Sequence, residues 1–179
     1  MRKILISLIA LPMMVAAENI DVTSIRLAGP YPTVKPFMTD SLDAEGKKID
    51  LDELYMETTP LQLPRGGENT PLQTSTTGGF VLSPSGEAEG GCYLASFTLQ
   101  NTGFAKGKVN VKCESKNKLF IDGNEQGPDF ELVPGRHGVS IKLLVKPSPS
   151  GETERGSDTL RINVETEQHI EINPDGNRY

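Results

Sequence analysis

The sequence has few of the residues on which catalytic and metal sites most often depend. It contains no tryptophan, two histidines and two cysteines among its 179 residues. Metal sites built from histidine and cysteine need several ligands at close spacing, and a hydrolase triad needs a base beside a nucleophile. The candidate bases are His137 and His169, and the sequence has no G-x-S-x-G nucleophile motif. We therefore expect no catalytic, metal-binding or cofactor-binding residues and no enzymatic activity in this chain.

Long apolar runs are missing too, apart from one at the N-terminus. Met1–Ala17 has basic residues at Arg2 and Lys3, an apolar stretch at Ile4–Val15 and small residues up to Ala17. The apolar stretch is shorter than the roughly 20 residues that a membrane-spanning helix needs. This pattern predicts a signal peptide removed after Ala17. We expect an exported protein, periplasmic or extracellular, with no membrane anchor.

Positive charge is scarce in the expected mature chain. Loss of Arg2 and Lys3 leaves 16 basic residues against 24 acidic ones, which changes the formal net charge from −6 to −8. Binding of nucleic acid requires clustered lysine and arginine, so we exclude a nucleic-acid partner. The remaining length suits a single domain that can bury a core of its own.

Strand-forming residues concentrate in Gly91–Val145. Apolar and polar residues alternate with period two in Tyr93–Leu99 and again in Lys108–Cys113, which is typical of half-buried strands. We predict that these two strands pair as a hairpin. Matching their apolar faces places Phe97 near Val109.

Further short strands and turns surround this pair. Asp122-Gly123 and Pro134-Gly135 are turn signals, and the prolines after Gly29 are expected to end the first strand. We predict an all-β, antiparallel β-sandwich of jelly-roll type, with one short helix, after a cleaved signal peptide. The further strands are predicted at Ile20–Leu27, Gly79–Leu82, Lys118–Ile121, Phe130–Leu132, Val139–Leu143 and Thr159–Thr166. The predicted core contains Phe97, Val109, Val111, Ile121, Ile141 and Ile162.

Two groups of acidic residues allow a structural or a cation-binding interpretation. Asp50 with Glu53 three residues later fits a capped helix start, which we favour over a cation site. The second group is the best oxygen cluster elsewhere in the chain and consists of Asp122, Asn124, Glu125 and Asp129. Its cation-binding interpretation is a Ca²⁺ site, and the structural interpretation, which we favour, is a hairpin turn with solvated acidic side chains.

Two cysteines in an exported chain would ordinarily be expected to form a disulfide. In the predicted hairpin, however, Cys92 and Cys113 lie on opposite faces, so we expect free thiols. His137 is expected at a surface turn. Tyr31 and Tyr55 are the candidate aromatic platforms for a glycan.

The chain divides into four predicted regions. They are the signal peptide (1–17), lead-in strands with a short helix and a loop (18–78), the core sandwich (79–166) and a tail (167–179). The lead-in loop is Leu61–Thr77, and a second polar loop spans Pro147–Asp158.

Two resemblances to known proteins are present. The sequences KLFIDG and LVPGRHGVSIKLLV resemble jelly-roll modules in which one strand displays an Asp-Gly turn and a Pro-Gly or Glu-Gly turn opens the next. More specifically, Lys35–Ser41, followed by Gly46–Asp50 and Leu54, resembles the N-terminal region of exported prolyl-oligopeptidase-like (S9) peptidases of Bacteroidetes type. Asn173–Tyr179 resembles the S/N-P-D-G-x-x-Y turn of their β-propeller blades, so the tail would begin a propeller.

The resemblance implies a sandwich that precedes a propeller and an α/β-hydrolase domain with a Ser-Asp-His triad. No residue of this chain matches the catalytic residues of the family. The implied function is a non-catalytic accessory domain that packs against the propeller or governs substrate access, with the downstream domains as its partners. The alternatives are a module that binds glycans or surface partners, and a purely structural exported domain.

Overall fold

The computed structural model describes residues 17–33, 42–61, 71–83, 90–146 and 158–174. These residues form twelve β-strands and one α-helix. The elements are β1 (Glu18–Asp21), β2 (Ser24–Pro32), α1 (Leu51–Thr58), β3 (Leu72–Thr74), β4 (Gly79–Leu82), β5 (Gly91–Asn101), β6 (Ala105–Lys112), β7 (Lys116–Ile121), β8 (Asn124–Gln126), β9 (Asp129–Leu132), β10 (Gly135–Val145), β11 (Asp158–Thr166) and β12 (Glu171–Asn173).

The strands form two antiparallel sheets. The five-stranded sheet has the order β1-β11-β6-β9, and β4 also pairs with β11. The seven-stranded sheet has the order β3-β2-β5-β10-β7-β8, and β12 also pairs with β5. The predicted all-β sandwich with one short helix is confirmed.

One apolar core lies between the sheets. The inward residues of β5, among them Phe97, are fully or nearly fully buried and meet Val109 and Ile162 of the opposite sheet. Ile121 and Ile141 are buried in the same cluster, and Val111 packs against it while partly exposed. The predicted core is therefore confirmed, with Val111 at its border.

The predicted hairpin between Tyr93–Leu99 and Lys108–Cys113 is wrong. β5 pairs with β2, β10 and β12, whereas β6 pairs with β9 and β11, so these consecutive strands lie in different sheets. Phe97 is paired with Val139 instead. The alternating pattern identifies the residues that face the core, but it does not distinguish a neighbour within one sheet from a strand in the opposite sheet.

The first predicted strand, Ile20–Leu27, is also different in the structure. It divides around Val22 and Thr23 into β1 and β2, which belong to different sheets. β2 then continues past the prolines to Pro32, with an irregular register between Ala28 and Tyr31. Such an irregularity leaves residues out of the ladder, so a proline can be accommodated without losing a strand hydrogen bond.

The predicted capped helix is confirmed as α1. The Asp50 carboxylate accepts hydrogen bonds from the backbone N–H groups of Asp52 and Glu53, at 3.0 and 3.2 Å. These bonds satisfy two of the free donors at the helix start. The described part of the chain contains no helix that is long and apolar enough to cross a membrane.

Several predicted features lie outside the described residues. Part of the loop predicted at Leu61–Thr77 is described, and it contains the strand β3, which pairs with β2, so this part is not a loop. The undescribed features are most of the signal peptide (1–16), the family-like segment around 35–41, the middle of the first loop (62–70), most of the turn at 83–86, most of the second loop (147–157) and the end of the tail (175–179).

Candidate functional site

Three turns meet at one end of the sandwich, and we call this region the braced end. It consists of the β5–β6 turn (102–104), the β7–β8 turn (122–123) and the β9–β10 turn (133–134). Asn101 ends β5, and its side-chain amide donates to the carbonyl oxygens of Gly103 and Val133, at 2.6 and 2.9 Å. A single buried side chain thus joins two of the turns.

His137 joins the third turn to this pair. Its Nδ1 lies 2.6 Å from Oδ2 of Asp122, and its Nε2 lies 2.8 Å from the carbonyl oxygen of Val133. The other carboxylate oxygen of Asp122 accepts from the N–H of Gly138 at 2.9 Å. A carboxylate and a carbonyl can only accept, so the ring donates to both partners when it carries two protons.

The expectation that His137 occupies a surface turn is wrong. The residue is 7% exposed and belongs to β10. It lies two residues before Val139, so the alternation of β10 directs both side chains inward. This periodicity was the sequence signal that could have identified His137 as buried.

The pair of His137 and Asp122 has the composition of a base with its orienting acid. Its second ring nitrogen, however, is directed at the Val133 carbonyl, and the ring is buried. This arrangement suits the bracing of turns, because proton transfer to a substrate would require that nitrogen to be accessible. His169 lies apart and is exposed, 3.5 Å from Glu18.

The predicted oxygen cluster is distributed among separate partners. Asp122 binds His137, Glu125 lies 3.4 Å from Lys118, and Asp129 lies 3.4 Å from Lys108. The amide of Asn124 donates to the Asp122 backbone carbonyl at 3.4 Å. Among the described residues, no three histidine, cysteine, aspartate or glutamate side chains gather where they could hold a metal ion.

A second cluster lies on the outer face of the seven-stranded sheet, beneath α1. Met56 of the helix is buried against Cys92 and Leu144, and the partly buried rings of Tyr31 and Tyr55 pack against the same group. The structure thus brings the two candidate aromatic platforms together. Burial raises the pKa of the Tyr31 hydroxyl.

A buried lysine lies in the same region. The Lys142 ammonium donates to the Met56 carbonyl at 2.9 Å and lies 5.4 Å from the centre of the Phe120 ring. Burial, followed by the like charge of Lys118, lowers the pKa of Lys142. The hydrogen bond and the ring compensate part of the cost of burying this charge.

Ion pairs connect the acidic start of α1 to the sheet beneath it. Glu53 binds Lys118 and lies 3.0 Å from Lys116, and Asp52 lies 2.5 Å from Lys146. Hydrogen bonds from Lys118 and Lys116 lower the pKa of Glu53. The Glu53 carboxylate is therefore directed at the lysines of β7, while the helix cap is provided by Asp50.

Both cysteines are free thiols. Cys92 lies on the outer face of β5 under the helix, whereas Cys113 follows β6 and packs against the inner core. One sheet of the sandwich therefore separates the two thiols. The free thiols were predicted from the hairpin register instead, and that hairpin does not form. Burial raises the pKa of both thiols.

We predict that denatured, non-reduced protein will react with about two equivalents of a thiol reagent, whereas the native protein reacts slowly. The thiolate is the reactive form, and burial disfavours it at Cys92 and Cys113. Spectrophotometric thiol titration with and without denaturant measures this difference. A peptide map with one intramolecular bridge and no free thiol would contradict the arrangement.

Two large apolar side chains are exposed at the braced end. Phe104 is 75% exposed and Val133 is 57% exposed. They lie one residue beyond the Ala105–Leu132 pair of the β6–β9 ladder, and continuation of that register places them opposite each other. Ala105 and Leu132 face the core, so alternation directs Phe104 and Val133 outward.

The fold and these clusters define an antiparallel β-sandwich with a braced end and a helix attached to one sheet by ion pairs. No protein-family model matches the chain, and no curated protein or solved structure matches it either.

Proposed function

We propose that this chain is the non-catalytic N-terminal accessory domain of an exported S9-like serine peptidase. It would pack against a propeller or govern the access of substrates to the hydrolase domain. The proposal of export rests on the signal-like residues 1–17, and that of the family rests on the resemblance of the segments around Lys35–Ser41 and Asn173–Tyr179. The β-sandwich is the fold that this resemblance implies.

The observation that carries the packing role is the exposed pair of Phe104 and Val133. An exposed apolar pair on a fixed scaffold is suited to contact with another protein surface. Asn101 and His137 fix the two turns that present the pair, so little conformational entropy would be lost on docking.

The coding sequence after codon 179 tests the proposed context most directly. We expect repeats of the P-D-G-x-x-Y type followed by a G-x-S-x-G motif and a Ser-Asp-His order of catalytic residues. A downstream sequence without a hydrolase domain would refute the peptidase assignment.

We predict that purified residues 18–179 hydrolyse neither peptides nor esters. The base and acid that the structure brings together, His137 and Asp122, direct their hydrogen bonds at each other and at the backbone. Chromogenic ester and peptide assays measure the turnover, with the exposed His169→Ala variant as a matched control for His137→Ala. Turnover that one point substitution abolishes would contradict the prediction.

A glycan-binding module is the second candidate, because Tyr31 and Tyr55 pack around one cluster and each ring is partly exposed. Binding of a defined oligosaccharide that is lost in Tyr55→Ala but retained in Phe104→Ala would favour this candidate. No measurable binding of oligosaccharides to the parent chain would count against this candidate.

A further inference from the structure

A groove of about 470 Å³ lies where the two sheets are open at their edges. One wall is the C-terminal half of β6, and the other is β7 with the short strand β8. The floor is apolar, since Val109, Val111 and Leu119 line it. Its volume falls within the range of ligand-binding clefts.

The β6 wall is an incompletely paired strand edge. β9 pairs with β6 only from Ala105 to Lys108, and the Val109 N–H then donates to the Pro128 carbonyl at 2.8 Å. β11 pairs with the other edge of β6 as far as Lys112. The N–H and C=O groups of Val111 are directed to the same side of β6 as the Val109 N–H, away from β11. No strand among the described residues pairs with Val111 on that side.

The connection between the two walls is held in place by hydrogen bonds. The carboxylate of Asp158 accepts from the N–H groups of Glu114 and Ser115, at 3.1 and 2.8 Å. Both residues lie in the three-residue connection between β6 and β7. The open edge therefore does not depend on a ligand for its position.

We propose that this groove binds an extended peptide segment, which adds to the open edge of β6 in line with β9. Unpaired donors and acceptors of a strand edge are satisfied by the backbone of an added strand, which is the recognition mode of β-strand addition. This chemistry selects an extended peptide over a glycan, because a glycan has no regular series of amide donors and carbonyl acceptors.

The side chains around the edge indicate which peptide fits. An inward-directed residue of the added strand would contact Val111 and Leu119, so an apolar, β-branched residue suits that position. Lys112 is exposed on the rim next to Val111, so an adjacent acidic residue would gain a favourable contact. The occupant is thus an extended segment with alternating apolar and acidic residues.

The experiment uses the ¹⁵N-labelled chain and a blocked pentapeptide, acetyl-Thr-Val-Asp-Val-Thr-amide. We expect saturable NMR shifts concentrated at Val109–Lys112 and Asn117–Leu119, with slower hydrogen exchange at the Val111 amide. The same peptide with methylated backbone nitrogens is the matched ligand control, because it has lost the donors for strand pairing. It is expected to bind at least about tenfold more weakly.

Two protein variants test the site itself. Lys112→Glu is expected to weaken binding of the pentapeptide about threefold, whereas Lys48→Glu, a charge reversal at an exposed position outside the groove, should leave it unchanged. Val111→Pro removes the N–H that faces the groove, without removing a hydrogen-bond donor to β11, and is expected to abolish most of the affinity for the pentapeptide. Circular dichroism confirms that each variant is folded.

The proposal is overturned if the pentapeptide causes no saturable shift up to about 10 mM. It is equally overturned if the methylated peptide binds as well as the parent peptide, or if the shifts lie at Phe104 and Val133. Because the test uses the isolated chain, its failure would leave the proposed peptidase context unaffected. Absence of a downstream hydrolase would conversely leave the groove unaffected.

Discussion

Phe97→Ala is expected to lower the free energy of unfolding by about 3–5 kcal/mol. Phe97 is fully buried and lies in β5, an interior strand of the seven-stranded sheet. Its partner in register is Val139, and the opposite sheet contributes Val109 and Val164 to the same core. Removal of the ring loses its transfer free energy and leaves a cavity that strands on both sides keep from collapsing.

Urea unfolding followed by circular dichroism measures this loss, since the chain has no tryptophan for fluorescence. Phe104→Ala is the matched control, because it makes the same substitution at a side chain that is 75% exposed. We expect the control to change the stability by less than about 0.5 kcal/mol. Equal losses at the two positions would show that the core is not where the structure places it.

The strands themselves were largely predictable, because the alternation of side chains is a local property. The period of two in Tyr93–Leu99 and Val139–Leu143 was sufficient to locate β5 and β10 and their inward faces. The Asp122-Gly123 turn was recognisable because its signal, a pair of adjacent residues, is also local. Both residues have positive φ, of 50° and 82°, as a two-residue hairpin turn requires.

The partners of the strands were not predictable from these patterns. β5 and β6 are consecutive and equally alternating, yet they lie in opposite sheets. The division of Ile20–Leu27 between two sheets depends on the same long-range choice. Two strands that contribute to one core show the same period-two alternation whether they are neighbours in one sheet or lie in opposite sheets.

The candidate sites follow from this long-range pairing, so the sequence alone did not identify them. Asp122 and His137 are 15 residues apart and meet only because β7 pairs with β10. The groove beside Val111 exists because β9 ends its pairing at Lys108. In contrast, the helix cap at Asp50 involves residues within one turn, and it was predicted correctly.

The braced end yields the second large effect. His137→Ala is expected to destabilise the fold by about 2–4 kcal/mol, because it removes a buried side chain and one partner of the Asp122 carboxylate. His169→Ala, at an exposed side chain of the same type, should cost less than about 0.5 kcal/mol. Both values are measured by urea unfolding at one pH.

Combining His137→Ala with Asn101→Ala tests whether the two side chains act as one brace. Both side chains donate to the carbonyl oxygen of Val133, so this oxygen keeps one of its two side-chain donors in either single variant. The double variant leaves it with neither side-chain donor, and we expect its loss of stability to exceed the sum of the single losses by about 0.5–2 kcal/mol. A loss equal to the sum would show that the two residues stabilise their turns independently, which would contradict a shared brace.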